Sequence, residues 1–307
     1  MVRANWELIP LAVLQTAALT GLGIASLLPF YFVLDVEALD LYAGPEAGAA
    51  WVSELTARLY ERLGSPALWL AVLSSAAVLV AALACYSFFQ AGIFGVLTTA
   101  DRQAPRSASG HAAWFRTYSW AEFQGRGGRD LWRFFWLFHL VLLLGLAWSL
   151  LAALALVAAG VVAGSGGFGA GVAVGCAAVL PLGFLLVLLT FCALFSQAVV
   201  AGGDRSAWFA VRAGLRLATR RLGAVALLFA VALSAYFAVA MFFLVLSLPL
   251  GGGLLAAGGA RMAATLVLQA AQWSVTALLQ LVVAAAVVVV VGGERRVEGA
   301  GHVVVAG

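Results

Sequence analysis

The sequence predicts an all-α integral membrane protein with six transmembrane helices and short interfacial amphipathic helices. The chain of 307 residues is 64 % hydrophobic and 10 % charged, whereas soluble domains are about 25 % charged. Six mostly apolar segments reach the length of about 20 residues that a helix needs to cross a bilayer. Lipid can cover a surface with so few charges and water cannot, so a soluble fold is excluded.

The elements follow in chain order. The predicted spans fall at roughly 9–34, 67–98, 133–163, 171–200, 223–250 and 263–291. Pro10 suits the first turn of the first span, and Pro181 predicts a kink in the fourth. The first apolar stretch is longer than the h-region of a signal peptide, about 7–15 residues, and Glu7 stands just before it. We therefore expect an uncleaved first helix and one polytopic domain over residues 1–307.

Arginine placement predicts the topology. The chain has no lysine, and most of its arginines fall into alternate gaps between spans: Arg3, Arg102, Arg106, Arg116, Arg126, Arg129, Arg133, Arg205, Arg212, Arg216, Arg220, Arg221, Arg295 and Arg296. Arg58, Arg62 and Arg261 fall into the other gaps. Positive residues mark cytoplasmic loops. This predicts a bacterial cytoplasmic (inner) membrane protein with both termini and the loops at about 99–132 and 201–222 in the cytoplasm.

The first gap is acidic and predicts an external amphipathic helix at about 48–63. Its apolar residues recur at helical spacing: Val52, Leu55, Leu59 and Leu63. Glu54 and Arg58 form an i,i+4 pair on the polar side, and Gly64 with Pro66 supplies a stop. We expect the apolar stripe to rest on the outer ends of the spans.

A second amphipathic helix is predicted to begin at Ser119. Ser119-x-x-Glu122 reads as a capping box. The glycines within 125–128 predict that this helix is short, and Asp130 is predicted to cap the third span.

The third amphipathic helix follows Asp204, a predicted N-cap. One face carries Trp208, Val211, Leu215 and Leu222, and the other carries Arg205, Arg212, Arg216 and Arg220. A basic amphipathic helix at a cytoplasmic boundary is typical of a helix that lies in the membrane interface. The alternative is an extension of the fifth span with a solvated face. The residues predicted to contact lipid headgroups or a partner are Arg205, Arg212, Arg216, Arg220, Arg221 and Trp208.

A weak internal repeat links these two segments. Residues 89–91 and 196–198 both end in Gln-Ala, and each is followed by a Trp-led stretch that ends in arginine 13 positions later, Trp120 to Arg133 and Trp208 to Arg221. Such repeats occur in transporters and also arise from duplication of a helical hairpin without a transport role.

The spans offer few groups for chemistry. His139 is the one titratable side chain clearly inside a predicted span, and we interpret it as hydrogen-bonded to a neighbouring helix rather than as a proton relay. Buried amides should bond across helices, and Gln197, Gln269, Gln272 and Gln280 could form a polar track. Cys85, Cys176 and Cys192 lie in apolar runs without metal-binding spacing. No hydrolase, metalloprotease or phosphate-loop motif is present, so neither an enzyme nor a metal or cofactor is predicted.

Residues 190–250 resemble bacterial polytopic proteins of poorly defined function. The shared pattern is an apolar span, a turn, Ala-x-Arg-x-Ser-x-x-Leu and a basic cluster. Here it reads AVRAGLRL over 210–217, with Gly214 in place of the serine, followed by Arg220 and Arg221. The pattern is similar to the membrane domain of some glycerophosphodiester phosphodiesterases and to YciC-like inner-membrane proteins. The resemblance implies architecture only, because the catalytic domain is absent and the membrane part has no defined activity.

These observations favour a non-enzymatic membrane protein that organises lipid or a partner protein through an arginine-rich cytoplasmic face. Its expected contacts are the bilayer, anionic headgroups and a cytoplasmic or membrane protein, not nucleic acid. The alternative is a transporter or permease subunit with a polar path along spans four to six.

Overall fold

The computed structural model describes residues 2–34, 47–103, 117–203, 206–251 and 259–305, which form eight α-helices and no strand. The helices are α1 Leu8–Val33, α2 Ala47–Arg62, α3 Pro66–Gln103, α4 Trp120–Gly166, α5 Phe168–Ala201, α6 Ala207–Arg220, α7 Leu222–Gly251 and α8 Gly259–Val305. The predicted all-α class is confirmed.

Six of these helices, α1, α3, α4, α5, α7 and α8, are long and apolar enough to cross a membrane. Their apolar stretches are largely exposed: Leu150, Leu180 and Phe237, for example, are 62 %, 78 % and 66 % exposed. Large apolar side chains around much of a helix are stable when lipid surrounds them. The chain is therefore a multi-pass membrane protein.

The segment before the third span differs from the prediction. Ser119 is the N-cap, as predicted, and its side chain accepts a hydrogen bond of 3.0 Å from the Glu122 amide. The helix then continues through the glycines to Gly166, so Asp130 caps nothing, and much of the predicted loop at 99–132 is helical. The reason is packing. A Cβ at Gly127 would lie 2.8 Å from Cε2 of Phe88, so this glycine admits an aromatic ring rather than ending the helix.

α4 and α5 form a tight hairpin. The gap left between the third and fourth predicted spans, at about 164–170, shrinks to one residue, Gly167, whose φ of 86° is accessible to glycine at little cost. Beyond the turn, Gly171 meets α4 so closely that a Cβ would lie 2.8 Å from the Ala159 carbonyl oxygen. Further along, Trp148 Nε1 donates to the Leu182 carbonyl at 2.9 Å. The hairpin is thus fixed near its turn and again near its middle.

The chain forms two compact units, and the boundary between them falls within α1 and α3. One contains the described residues of Met1–Val13 and Ser87–Gly307, and the other those of Leu14–Tyr86. In the smaller unit, Ser75 Oγ donates a 2.6 Å hydrogen bond to the Ser26 carbonyl and joins α3 to α1.

The predicted helix at about 48–63 is present as α2, but its apolar stripe is only partly covered: Leu55 is half-buried. Leu59 and Leu63 are 40 % and 49 % exposed. Arg58 turns inward instead: its Nη1 donates to the Leu34 carbonyl at 3.3 Å while its Nε pairs with Glu54 at 3.0 Å. The side chain of Val52 lies outside the described residues.

We predict that Gly171→Ala destabilises the protein while Gly160→Ala does not. The first change places a methyl group against Ala159 and Ala163, whereas a Cβ at Gly160 meets open space. Overpacking costs about 1–3 kcal/mol, and replacing a helical glycine regains roughly 0.5–1 kcal/mol. Thermal unfolding in detergent measures both, and equal melting temperatures for the two variants would contradict the tight hairpin.

Candidate functional site

The buried side chains of the larger unit concentrate where the end of α3, the start of α4, the end of α5 and the second half of α8 lie. The aromatic part of this core consists of Phe94, Phe123, Phe134, Phe191 and Phe195, which are all buried. Phe94 and Phe134 join α3 to α4 with ring centroids 6.5 Å apart. This packed end is the platform for the polar groups that follow.

Glycines bring α3 and α4 close enough to share an ion pair. A Cβ at Gly95 would lie 2.7 Å from Cβ of Arg126, so the arginine stem lies directly on the α3 backbone. Arg126 Nε pairs with Glu122 at 2.9 Å. Its Nη2 donates to Thr99 Oγ1 at 3.2 Å, and Thr99 contacts the same Glu122 oxygen at 3.3 Å. Arg126 and Glu122 therefore neutralise each other, and Thr99 is hydrogen-bonded to both.

Asp130 is the most buried acid of α4, with a side chain 2 % exposed. Arg133 and Arg129 each approach one of its carboxylate oxygens at 3.2 Å. A buried carboxylate is stable only when it is paired and hydrogen-bonded. The arginines at the start of α4 therefore serve the fold.

The N-terminus is fastened to the start of α4. The buried Asn5 Oδ1 accepts hydrogen bonds from the amides of Thr117 and Tyr118, at 3.0 and 2.9 Å. Thr117 Oγ1 in turn donates to the Val96 carbonyl of α3 at 3.1 Å. Burial, together with the negative charge of Glu7, raises the pKa of Tyr118 above its usual value.

Two contacts attach α3 to α5 and α8. Arg102 Nη2 donates to the carbonyl of Gly202, the residue that ends α5. A cation at a helix C-terminus also interacts favourably with the helix dipole. On α8, a Cβ at Gly292 would meet the carboxylate of Asp101, which is buried.

α6 packs on the last turns of α5 through small residues. Its buried positions are Ala207, Ala210, Val211, Gly214 and Ala218. At their centre, a Cβ on Gly214 would lie 2.6 Å from the Cys192 carbonyl oxygen and 3.0 Å from the Ser196 amide nitrogen. Cys192 Sγ also contacts the Val211 carbonyl at 3.6 Å.

This packing corrects the predicted apolar face of α6. Val211 is buried, but Trp208, Leu215 and Leu222 are 56 %, 46 % and 45 % exposed. The predicted stripe therefore divides into a buried part, Val211, and an exposed part, the three larger residues. Only small side chains permit α6 to approach α5 closely, so the large apolar side chains lie beside the contact between the two helices. The N-cap is Ser206, whose side chain accepts from the Phe209 amide at 3.3 Å, while the predicted cap Asp204 lies outside the described residues.

The arginines of α6 are exposed and uncompensated. No acidic residue occurs between positions 206 and 222. Among the described residues, Arg212, Arg216 and Arg220 make no ion pair, and the Arg212 guanidinium lies 5.0 Å from the centroid of the Trp208 ring. Arg221 is exposed at the C-cap, and Arg205 lies outside the described residues.

The structure gives the repeat a different alignment from the one read in the sequence. The serine N-caps Ser119 and Ser206 are equivalent, and the close-packed glycines Gly127 and Gly214 each lie eight positions further on. Aligning the two tryptophans misplaces the segments by one residue. The equal serine-to-glycine spacing is present in the sequence. It indicates a repeat only once the structure shows which glycines contact a neighbouring helix.

The predicted polar track is spread over different environments. Gln197 is buried, Gln272 is half-buried, and Gln269 and Gln280 are exposed. Within the described part of the chain, the Gln197 side-chain oxygen is buried without a hydrogen-bond donor.

His139 Nδ1 lies 2.9 Å from the Phe135 carbonyl of its own helix, so the predicted bond to a neighbouring helix is replaced by one within α4.

Comparison with known proteins finds no matching family model, curated protein or solved structure. The resemblance to glycerophosphodiester phosphodiesterase membrane domains and YciC-like proteins therefore stays a prediction. Among the described residues no group of three or more His, Cys, Asp or Glu side chains could hold a metal ion.

We predict that Gly214→Val separates α6 from α5, because valine cannot fit between Cys192 and Ser196. Trypsin should then cut after Arg212 and Arg216 much faster in protein reconstituted into bilayers. Gly223→Val is the matched control, since a Cβ there meets nothing within 4 Å. Identical digestion rates for the two variants would show that the contact does not hold α6 in place.

Proposed function

We propose that the protein is a non-enzymatic integral membrane protein that organises anionic lipid through α6. One observation carries the proposal: α6 is docked by its small residues, and its opposite side presents Arg212, Arg216 and Arg220, which form no ion pair with any described residue. Unpaired guanidinium groups beside a membrane attract phosphate, which they bind through charge and paired hydrogen bonds.

The exposed apolar side chains fit the same partner. Trp208 and Leu215 flank the arginine side of α6, and tryptophan favours the boundary between headgroups and acyl chains. The stacking of Arg212 on Trp208 keeps a charge and an aromatic ring together at that depth. A soluble acidic partner would match the arginines but would leave the apolar strip unexplained.

The comparison with α4 supports α6 as the binding element. Both segments begin at a serine N-cap and carry arginines on either side of a close-packed glycine. In α4 these arginines are bound by Glu122 and Asp130. Because α6 lacks equivalent acids, its positive charge is available to a ligand.

We further propose that this end of the protein faces the cytoplasm of a bacterium, with both termini inside. The support is the arginine bias of alternate gaps, since positive residues stay on the cytoplasmic side. That leaflet carries anionic lipid, which matches the charge of α6.

The second candidate is a transporter or permease subunit. It rests on Gln197, whose buried oxygen has no donor in the described part of the chain, as expected of a group that serves a polar ligand. The exposed positions of Gln269 and Gln280 do not extend this site into a path, so we place lipid organisation first.

We predict that replacing Arg212, Arg216 and Arg220 with Gln weakens binding of phosphatidylglycerol to the full-length protein by roughly 100-fold at low salt, since each arginine contributes about 1 kcal/mol. Native mass spectrometry of the detergent-solubilised protein, titrated with phosphatidylglycerol or phosphatidylcholine, measures this. The wild-type preference for the anionic lipid should fade with added salt.

The matched control replaces Arg58, Arg62 and Arg261 with Gln, which removes the same charge from the other gaps. This variant should keep the preference for phosphatidylglycerol. If it loses as much as the α6 variant, net charge rather than α6 determines binding. If the wild-type protein shows no preference for phosphatidylglycerol at low salt, α6 does not bind anionic lipid, and a protein partner becomes the better explanation of its arginines.

We predict that a cysteine at Ser107 is protected from a membrane-impermeant maleimide in intact cells, whereas a cysteine at Ser53 on α2 reacts. Both are introduced after Cys85, Cys176 and Cys192 are replaced by alanine. The expected contrast follows from the positive-inside rule. Strong labelling at position 107 in intact cells would invert the topology and place α6 outside.

A further inference from the structure

The second half of the apolar stripe of α2 is largely exposed. Leu59, Leu63 and the neighbouring Tyr60 are 40 %, 49 % and 78 % exposed, although each is large enough to fill a core position. The inward position is taken by Arg58, whose guanidinium is held by Glu54 and the Leu34 carbonyl. The helix is thus amphipathic, with Leu55 half-buried and Leu59, Tyr60 and Leu63 substantially exposed in the described chain.

Both ends of this stripe are tied to the ends of membrane-spanning helices. Arg58 binds the carbonyl of Leu34, the residue directly after α1. At the other end, the Ser65 amide donates to the Arg62 carbonyl at 2.8 Å, and Ser65 Oγ accepts from the Leu68 amide at 3.3 Å as α3 begins. Leu59 and Leu63 lie between these two attachments, so they share the depth at which α1 ends and α3 starts.

That depth is the boundary of the hydrocarbon. The candidate spans end and begin near charged residues: α1 ends at Val33, two positions before Asp35, and α3 begins at Pro66, four positions after Arg62. Charged side chains are costly inside the hydrocarbon core, so the core ends near these positions. Exposed aromatic residues near the same ends, Phe32 and Trp69, are typical of the membrane interface.

We propose that α2 lies in the membrane interface and inserts Leu59 and Leu63 among lipid acyl chains. Its polar side carries Glu54 and Glu61 against Arg58 and Arg62, so its charges cancel. The contact therefore depends on apolar burial and not on anionic lipid, unlike the contact proposed for α6. The α2 contact uses a different surface from α6, so it does not depend on whether α6 binds phosphatidylglycerol.

The test places a nitroxide label at Leu59→Cys, or at Glu61→Cys as the control, in the full chain lacking Cys85, Cys176 and Cys192 and reconstituted in phosphatidylcholine nanodiscs. Positions 59 and 61 lie about 200° apart around the helix, nearly on opposite sides. Collision with oxygen, which concentrates in acyl chains, should exceed collision with a water-soluble nickel complex at position 59. The order should reverse at position 61.

Both results should be unchanged in high salt and with added phosphatidylglycerol. Nickel accessibility at position 59 equal to that at position 61 would place the stripe in water and overturn the proposal. A label at position 59 shielded from both reagents would mean that protein covers the stripe, and this also overturns it. Leu63→Cys repeats the measurement one turn later, so a folding failure of one variant does not decide the result.

Discussion

Close approach between helices, made possible by glycine and alanine, is the constraint on which the rest of the structure depends. In a bilayer, apolar side chains gain little by meeting one another instead of lipid, so helix pairs are held by tight packing and by polar contacts across it. Gly92, Gly95 and Gly127 set the distance between α3 and α4, and Gly214 sets the distance between α5 and α6. Where these contacts occur, side chains are buried; along α4 and α5 beyond them, most apolar side chains face outward.

The same close approach decides the state of the charged groups. Arg126 lies on the α3 backbone because Gly95 has no side chain, and its guanidinium is thereby brought to Thr99 and Glu122. Asp130 is buried deeply enough to require two arginines. In α6 the close contact involves alanine, valine and glycine alone, so its arginines are left with their charge available. The start of α4 and α6 have similar sequences but different electrostatics, because α4 contains Glu122 and Asp130 and α6 contains no acidic residue.

The number and approximate position of the spans could be predicted from the sequence because length and hydropathy decide whether a helix can cross a bilayer. The arginine side of α6 could also be predicted, since it depends on helical periodicity alone. The side of α6 that contacts α5 could not be predicted: Trp208 and Leu215 look like core residues by pattern, but Ala210 and Gly214 occupy the contact with α5.

The glycines at 125–128 likewise look like a helix stop in the sequence. Whether such a glycine ends a helix or makes room for a ring such as Phe88 depends on the neighbouring helix. The pairing of Arg58 with Glu54 could be predicted from the sequence. The hydrogen bond from Arg58 to the Leu34 carbonyl could not, because it depends on how α2 packs against the end of α1.

The one-residue turn at Gly167 bears on how the protein enters its membrane. α4 ends at Gly166 and α5 begins at Phe168, so the tip of this hairpin carries no loop and no charged side chain. Moving a long polar loop through hydrocarbon requires removing water from each of its backbone groups. Here a single residue at a positive φ replaces that loop, so the unpaired backbone groups of the tip are limited to those at the end of α4 and the start of α5. Inserting these two spans together therefore moves few polar groups across the bilayer, and the hairpin itself carries its tip to the far side.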